Sequence, residues 1–206
     1  MICKTSSVDE IIVSTTVDGV DNEQLMMVID EFGKQPNPDK SAVVTHYKLH
    51  ERFPDLTKPI SESILNLCNE WVHAHVSRQD DYLHGYVPSS FEIQKMWGVT
   101  IPAGEGMGRH DHWPDTFAFT YYLEVNDPLY FDELDYYTNP KENELYLWRG
   151  HLSHGAPSVK EIDRYTIAGT VNFVMPDIVK NTPRDFNDHD GSTFMAKELL
   201  NSKVII

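Results

Sequence analysis

The stretch Gly108-Arg109-His110-Asp111-His112-Trp113-Pro114 places two imidazoles two positions apart, directly before a strand-like run from Thr116 to Leu123. In extended backbone, residues i and i+2 share a face. The spacing therefore predicts that His110 and His112 aim at one point, with Asp111 turned away. A third imidazole, His154, follows in Leu152-Ser153-His154-Gly155-Ala156-Pro157, and Arg164 comes ten residues later in Asp163-Arg164-Tyr165-Thr166. Histidine is the commonest metal ligand near neutral pH. Two strands of one sheet system can set three imidazoles on one face of an ion and leave the opposite face open. Open positions are what an oxygen-activating, non-haem Fe(II) centre needs, whereas closed tetrahedral sites serve structure. A guanidinium is always charged and matches a carboxylate in bidentate geometry. On the strand after His154, Arg164 is placed to fix the far carboxylate of a dicarboxylate whose near end chelates the metal. Thr166, two residues on, shares that face and offers a hydroxyl. The bland alternative is a chance H-x-H among ten histidines, with Arg164 as a surface ion-pair partner of Asp163.

These residues need elements to position them. Glu10 to Val17 reads as a strand from its β-branched content. Asp21-Asn22-Glu23-Gln24 carries a capping-box signal and predicts a helix through Leu25, Val28, Ile29 and Phe32, stopping near Gly33. Gln35 to Lys40 reads as a turn-rich loop, and Ala42 to Leu49 as a strand candidate. Lys58-Pro59-Ile60 is expected to open a second helix running to about Arg78, with Ile60, Ile64, Leu67, Cys68 and Trp71 at helical spacing. From Ser90 onward short β-like runs alternate with turns: Phe91 to Ile101, Thr116 to Val125, Leu145 to Trp148 and Tyr165 to Met175. Such spacing suggests a sandwich or barrel. Asp177 to Asp190 is polar and irregular, and Ser192 to Asn201 is a candidate final helix.

Composition narrows the class. A chain of 206 residues is long enough to bury a core without staples. Its two cysteines, Cys3 and Cys68, do not make a disulfide framework, which favours a reducing, cytoplasmic setting. No apolar run approaches membrane-spanning length, and Met1 to Ser7 lacks the layout of a signal peptide. The formal charge of −15 disfavours a nucleic-acid partner and fits a small-molecule or protein substrate better.

The region from Trp97 to Phe173 resembles the iron- and 2-oxoglutarate-dependent dioxygenases, nearest to their prolyl-hydroxylase-like branch and its small bacterial and phage-type members. The resemblance rests on Pro102-Ala103-Gly104-Glu105-Gly106, Arg109-His110-Asp111-His112, Tyr121-Tyr122-Leu123, His154-Gly155-Ala156-Pro157 and Arg164-Tyr165-Thr166, in that order. It implies that His110 and His154 are the first and distal iron ligands. It further implies that Arg164 binds the C5 carboxylate of 2-oxoglutarate and that Tyr122 helps to hold it. The chain departs from the pattern twice. His112 stands where most members carry the aspartate of H-x-D, and Ile101 stands where many carry a tyrosine. Three neutral imidazoles leave the site one negative charge short of two histidines and a carboxylate. The third ligand is then His112, or Asp115 if the Trp113-Pro114 turn folds back, or the site is vestigial.

The expected fold is α+β in one domain: a double-stranded β-helix (jelly-roll, cupin-like) core over 90–176, N-terminal helices packed on one side within 1–89, and a C-terminal extension over 177–206. The expected function is an Fe(II)/2-oxoglutarate-dependent dioxygenase, a hydroxylase using Fe(II), 2-oxoglutarate and O2. Its catalytic set is His110, His112, His154 and Arg164. The metal ligands are His110, His112 and His154, and Arg164, Tyr122 and Thr166 bind the cosubstrate. Two alternatives stand beside it. One is a cupin-type metalloenzyme with three histidines and no 2-oxoglutarate; the other is a non-catalytic jelly-roll binding or assembly module.

Overall fold

The computed structural model describes residues 2–4, 11–33, 35–36, 42–76, 90–124, 128–158 and 162–174. The chain divides into two compact units, Met1–Leu67 with Ile93–Asn172, and Cys68–Glu92 with Phe173–Ile206. The expected loop or helix over 177–201 lies outside the described residues.

Eight strands make the larger sheet: β1 (Ile2–Lys4), β2 (Ile11–Thr16), β3 (Gln35–Pro36), β4 (Val43–Val44), β5 (Phe91–Ile101), β7 (Phe117–Tyr122), β10 (Glu144–Arg149) and β12 (Arg164–Phe173). They lie in the order β1-β2-β10-β7-β12-β5-β4-β3. The smaller sheet holds β6 (Met107–His110), β8 (Tyr130–Phe131), β9 (Tyr136–Tyr137) and β11 (His154–Ala156), in the order β6-β11-β8-β9. The two antiparallel sheets form the expected double-stranded β-helix core. Strand β7 is buried along its whole length, as a strand covered on both faces must be. Tyr122, Tyr146, Trp148, Val99, Ile101, Ala168, Phe131 and Leu152 build the apolar cluster from both sheets.

Helix α1 (Asn22–Phe32) ends where the sequence predicts. The Asp21 carboxylate accepts from the Gln24 N–H at 3.0 Å, and Gly33 closes the helix. The helix packs on β5 where Gly98 leaves room: a Cβ there would lie 2.3 Å from Ile29 Cγ1. Its first residue is tied to the sheet, with Asn22 Nδ2 donating to the Leu123 carbonyl at 2.7 Å.

Three local expectations change. The Ala42 to Leu49 stretch keeps only Val43–Val44 as strand before a short helix, α2 (Leu49–Arg52). Helix α3 (Pro54–Val76) begins four residues before Lys58. Pro54 suits a first helical position because its fixed φ is already helical and its missing N–H is not needed there, so Pro59 falls inside the helix instead of opening it. The loop at Gln35 starts with a two-residue edge strand paired to Val43 and Val44.

Candidate metal centre

The smaller sheet brings the histidines together. His110 and His154 are register partners across β6 and β11, with ring centroids 4.4 Å apart. His112 lies beyond the end of β6, so the same-strand geometry expected for the pair is only half realised. It is returned to the site by a turn: its N–H donates to the Gly150 carbonyl at 2.7 Å, and its own carbonyl accepts from the Asp115 N–H at 2.8 Å. Its ring centroid is 5.1 Å from those of both His110 and His154. One ligand nitrogen from each imidazole lies within 4.8 Å of the others.

The tautomers are set by the backbone. His110 Nδ1 lies 3.0 Å from the Gly108 carbonyl, and His154 Nδ1 lies 3.1 Å from that of Leu152. A carbonyl only accepts, so each Nδ1 carries the proton and each Nε2 is left with a lone pair for a metal. His154 is 3% exposed and packs between Trp148 and Phe131, at centroid distances of 4.8 and 5.8 Å. Burial, then the neighbouring His110 and His112, drive its pKa well below the usual histidine value. Burial, then His110, push His112 down to about 4. Both rings are therefore neutral at pH 7 and ready to coordinate.

The imidazoles open into a cavity of about 390 Å³ between the sheets. Arg164, Thr166, Ala168 and Thr170 line it from alternate positions of β12, and Lys95, Trp97, Val99 and Ile101 from alternate positions of β5. Arg164 is 1% exposed, and Tyr122 stands opposite Thr166 across β7 and β12. Burial raises the Tyr122 phenol to about 12, which keeps it a neutral O–H. All six residues singled out from the sequence, His110, His112, His154, Tyr122, Arg164 and Thr166, thus face one space. Sequence reasoning missed Lys95 and Trp97, although their period-2 spacing with Val99 and Ile101 was a usable signal. Trp97 lies beside His112, ring centroids 6.1 Å apart.

No carboxylate joins the imidazoles or lines the cavity among the described residues. The Asp111 carboxylate accepts from the Trp113 N–H at 3.0 Å. The Asp115 carboxylate accepts from Asn172 Nδ2 at 2.9 Å, and its other oxygen lies 3.7 Å from Lys95 Nζ. The proposed fallback ligand is therefore committed elsewhere. This donor set overturns the expected Fe(II)/2-oxoglutarate-dependent dioxygenase and hydroxylase. That chemistry is housed by two histidines and a carboxylate, whose anionic ligand lowers the charge at the ion. The paired expectation of Fe(II), 2-oxoglutarate and O2 as cofactors falls with it. The residues do not fit that cofactor pair; they fit a divalent ion that accepts three neutral nitrogens.

No family model and no curated protein matches the chain. Solved structures do. The chain is similar to OsALKBH1 (TM-score 0.59, 8% identity, covering 82% of this chain and 99% of that one). It is similar to the viral collagen prolyl hydroxylase of Paramecium bursaria Chlorella virus-1 (TM-score 0.53, 12% identity, 80% and 96%). A prolyl hydroxylase from Trichoplax adhaerens, in complex with a hypoxia inducible factor peptide, matches similarly (TM-score 0.53, 15% identity, 84% and 87%). At such identities these likenesses show the fold alone, the double-stranded β-helix, and no particular branch.

Proposed function

We propose that this chain is a three-histidine metalloenzyme of the cupin type that acts on a small anionic substrate without 2-oxoglutarate. The observation that carries the reading is the convergence of three imidazoles on one cavity, with no carboxylate beside them among the described residues. His110, His112 and His154 would hold a divalent transition ion. Such an ion supplies Lewis acidity at the positions the protein leaves open. The cavity volume lies within the range of small-molecule sites. Among the described residues its lining carries Arg164 and Lys95 and no acidic side chain, in a chain of formal charge −15. That contrast favours an anionic ligand drawn in from an acidic surface. Arg164 orients its anionic group, and the Tyr122 phenol offers a neutral donor beside it. Thr170 Oγ1 is buried, faces the cavity and has no hydrogen-bond partner among the described residues, which leaves it available to a polar ligand. Beyond Lys95, the β5 residues Trp97, Val99 and Ile101 line the cavity with apolar surface.

Among the described residues no helix is long and apolar enough to cross a membrane. Cys68 is a buried free thiol, which supports a reducing, cytoplasmic setting.

The test is metal titration with a parallel turnover assay. The wild type is expected to bind one divalent ion per chain and to form no succinate from 2-oxoglutarate with Fe(II) under air. Iron-dependent succinate would overturn the reading, and so would a wild type that binds no ion, leaving a non-catalytic jelly-roll module in front.

A further inference from the structure

His112 is the ligand that no strand supplies, so something else must fix its turn. Strands β7 and β12 pair up to Phe117 and Val171. At the next step Asn172 replaces the ladder with its side chain. Its Oδ1 accepts from the Thr116 N–H at 2.7 Å and from Thr116 Oγ1 at 3.1 Å, while its Nδ2 donates to Asp115 Oδ1 at 2.9 Å. Both ends of the amide are used, and the backbone N–H fixes which end is oxygen. From Thr116 and Asp115 the ties run to the backbone of His112, which carries the imidazole. The Asp115 N–H donates to the His112 carbonyl at 2.8 Å, the His112 N–H to Gly150 at 2.7 Å, and the Gly150 N–H to Thr116 at 3.0 Å. Gly150 is required for this closure, since a Cβ there would lie 2.0 Å from the Asp115 carbonyl oxygen. Lys95 also meets Asp115, but at 3.7 Å and with its own side chain 53% exposed. Such a pair contributes little, so the amide carries the weight.

We propose that Asn172 is a positioning residue for the third imidazole, holding the turn at 112–116 through Asp115 and Thr116. The proposal rests on the three-histidine reading. A residue that only secured the end of the sheet would affect folding and leave the metal's surroundings unchanged.

The experiment uses Co(II) alone as probe, reading affinity and the visible ligand-field spectrum of the full chain. Asn172→Ala is expected to bind Co(II) about 10–100-fold more weakly than the wild type, as for an outer-shell partner, with an altered spectrum. His112→Ala should lose at least as much, and the double variant should bind no more weakly than His112→Ala. Asp115→Asn keeps an oxygen for the Asn172 amide and should stay within about threefold of the wild type, a small effect beside that of losing an outer-shell partner. Wild-type affinity and spectrum in Asn172→Ala would overturn the proposal, as would losses that multiply in the double variant. If Asn172→Ala does not fold, Asn172→Asp decides: it keeps the acceptor for Thr116, removes the donor to Asp115, and must weaken Co(II) for the proposal to stand. A wild type that ignores Co(II) would overturn the three-histidine reading itself. Binding by the wild type with an unchanged variant would overturn only the role of Asn172.

Discussion

At the scale of single residues, burial keeps the His112 and His154 rings neutral, and backbone carbonyls point the rings of His110 and His154. His154 illustrates both effects, because Leu152 fixes its tautomer while Trp148 and Phe131 remove its solvent. Its truncation to alanine should therefore cost metal binding more than the roughly 10–100-fold typical of an outer-shell partner; metal analysis after dialysis checks this. Proton linkage gives a second prediction. A histidine in the unfolded chain binds its proton near 6.5, whereas His112 in the fold does so only near 4. The unfolded chain takes up more protons across that window, so acidification from 6.5 towards 4 favours unfolding. His154 is shifted in the same direction and adds to the effect. The melting temperature of the metal-free protein should fall as pH is lowered from 7 to 5, and a His112→Asn variant, which removes one of the shifted imidazoles, should show a shallower fall.

Elements act here mainly through close approach. Gly169 on β12 meets its neighbours so tightly that a Cβ would lie 2.3 Å from both the Lys95 carbonyl oxygen and the Phe119 ring. Backbone cannot yield as a side-chain tip can, so Gly169→Ala should reach or exceed the roughly 1–3 kcal/mol usual for overpacking. Gly98→Ala meets only side chains, Ile29 at 2.3 Å and Thr45 at 3.3 Å, and belongs within that range. Removing the helix cap with Asp21→Ala should cost about 1 kcal/mol. Chemical denaturation should return this order, and the reverse order would mean that helix α1 matters more than the contact between β12 and β5. The major strands were readable from their composition: Phe91 to Ile101 is β5 as expected, and the runs at Thr116, Leu145 and Tyr165 became β7, β10 and β12. The strands of the smaller sheet were not. β8, β9 and β11 are two or three residues long, too short for a period to show.

For the molecule as a whole, the proposed anionic substrate rests on a contrast of charge. A chain of formal charge −15 encloses a cavity lined by Arg164 and Lys95 and, among the described residues, by no acid. A hydrogen bond to a charged group contributes about 1.5–3 kcal/mol. On that basis Arg164→Gln should weaken acetate binding to the Co(II)-loaded protein by about tenfold or more, followed through the cobalt spectrum. Unchanged affinity would place the anion elsewhere. The same scale explains why the resemblance misled on chemistry. Order and spacing of His110, His154 and Arg164 track the fold that holds them, and that fold is shared with the two prolyl hydroxylases and OsALKBH1 whatever their chemistry. The donor set depends on one position, and there the chain has His112 in place of a carboxylate.

The linear chain by itself determined the long strands, the first helix with its Asp21 cap, and the six residues that face the cavity. Each of these is encoded locally, by periodicity, by capping chemistry or by residue type. Tertiary structure alone decided that His112 reaches the site from a turn and not from a strand. It also decided that the Asp115 carboxylate is taken by Asn172, so that among the described residues no carboxylate joins the three imidazoles. Those outcomes depend on hydrogen bonds from Gly150 and Asn172, some forty to sixty residues away along the chain. No local pattern records a partner at that distance, because the free energy of such a contact is realised only once the sheets have closed.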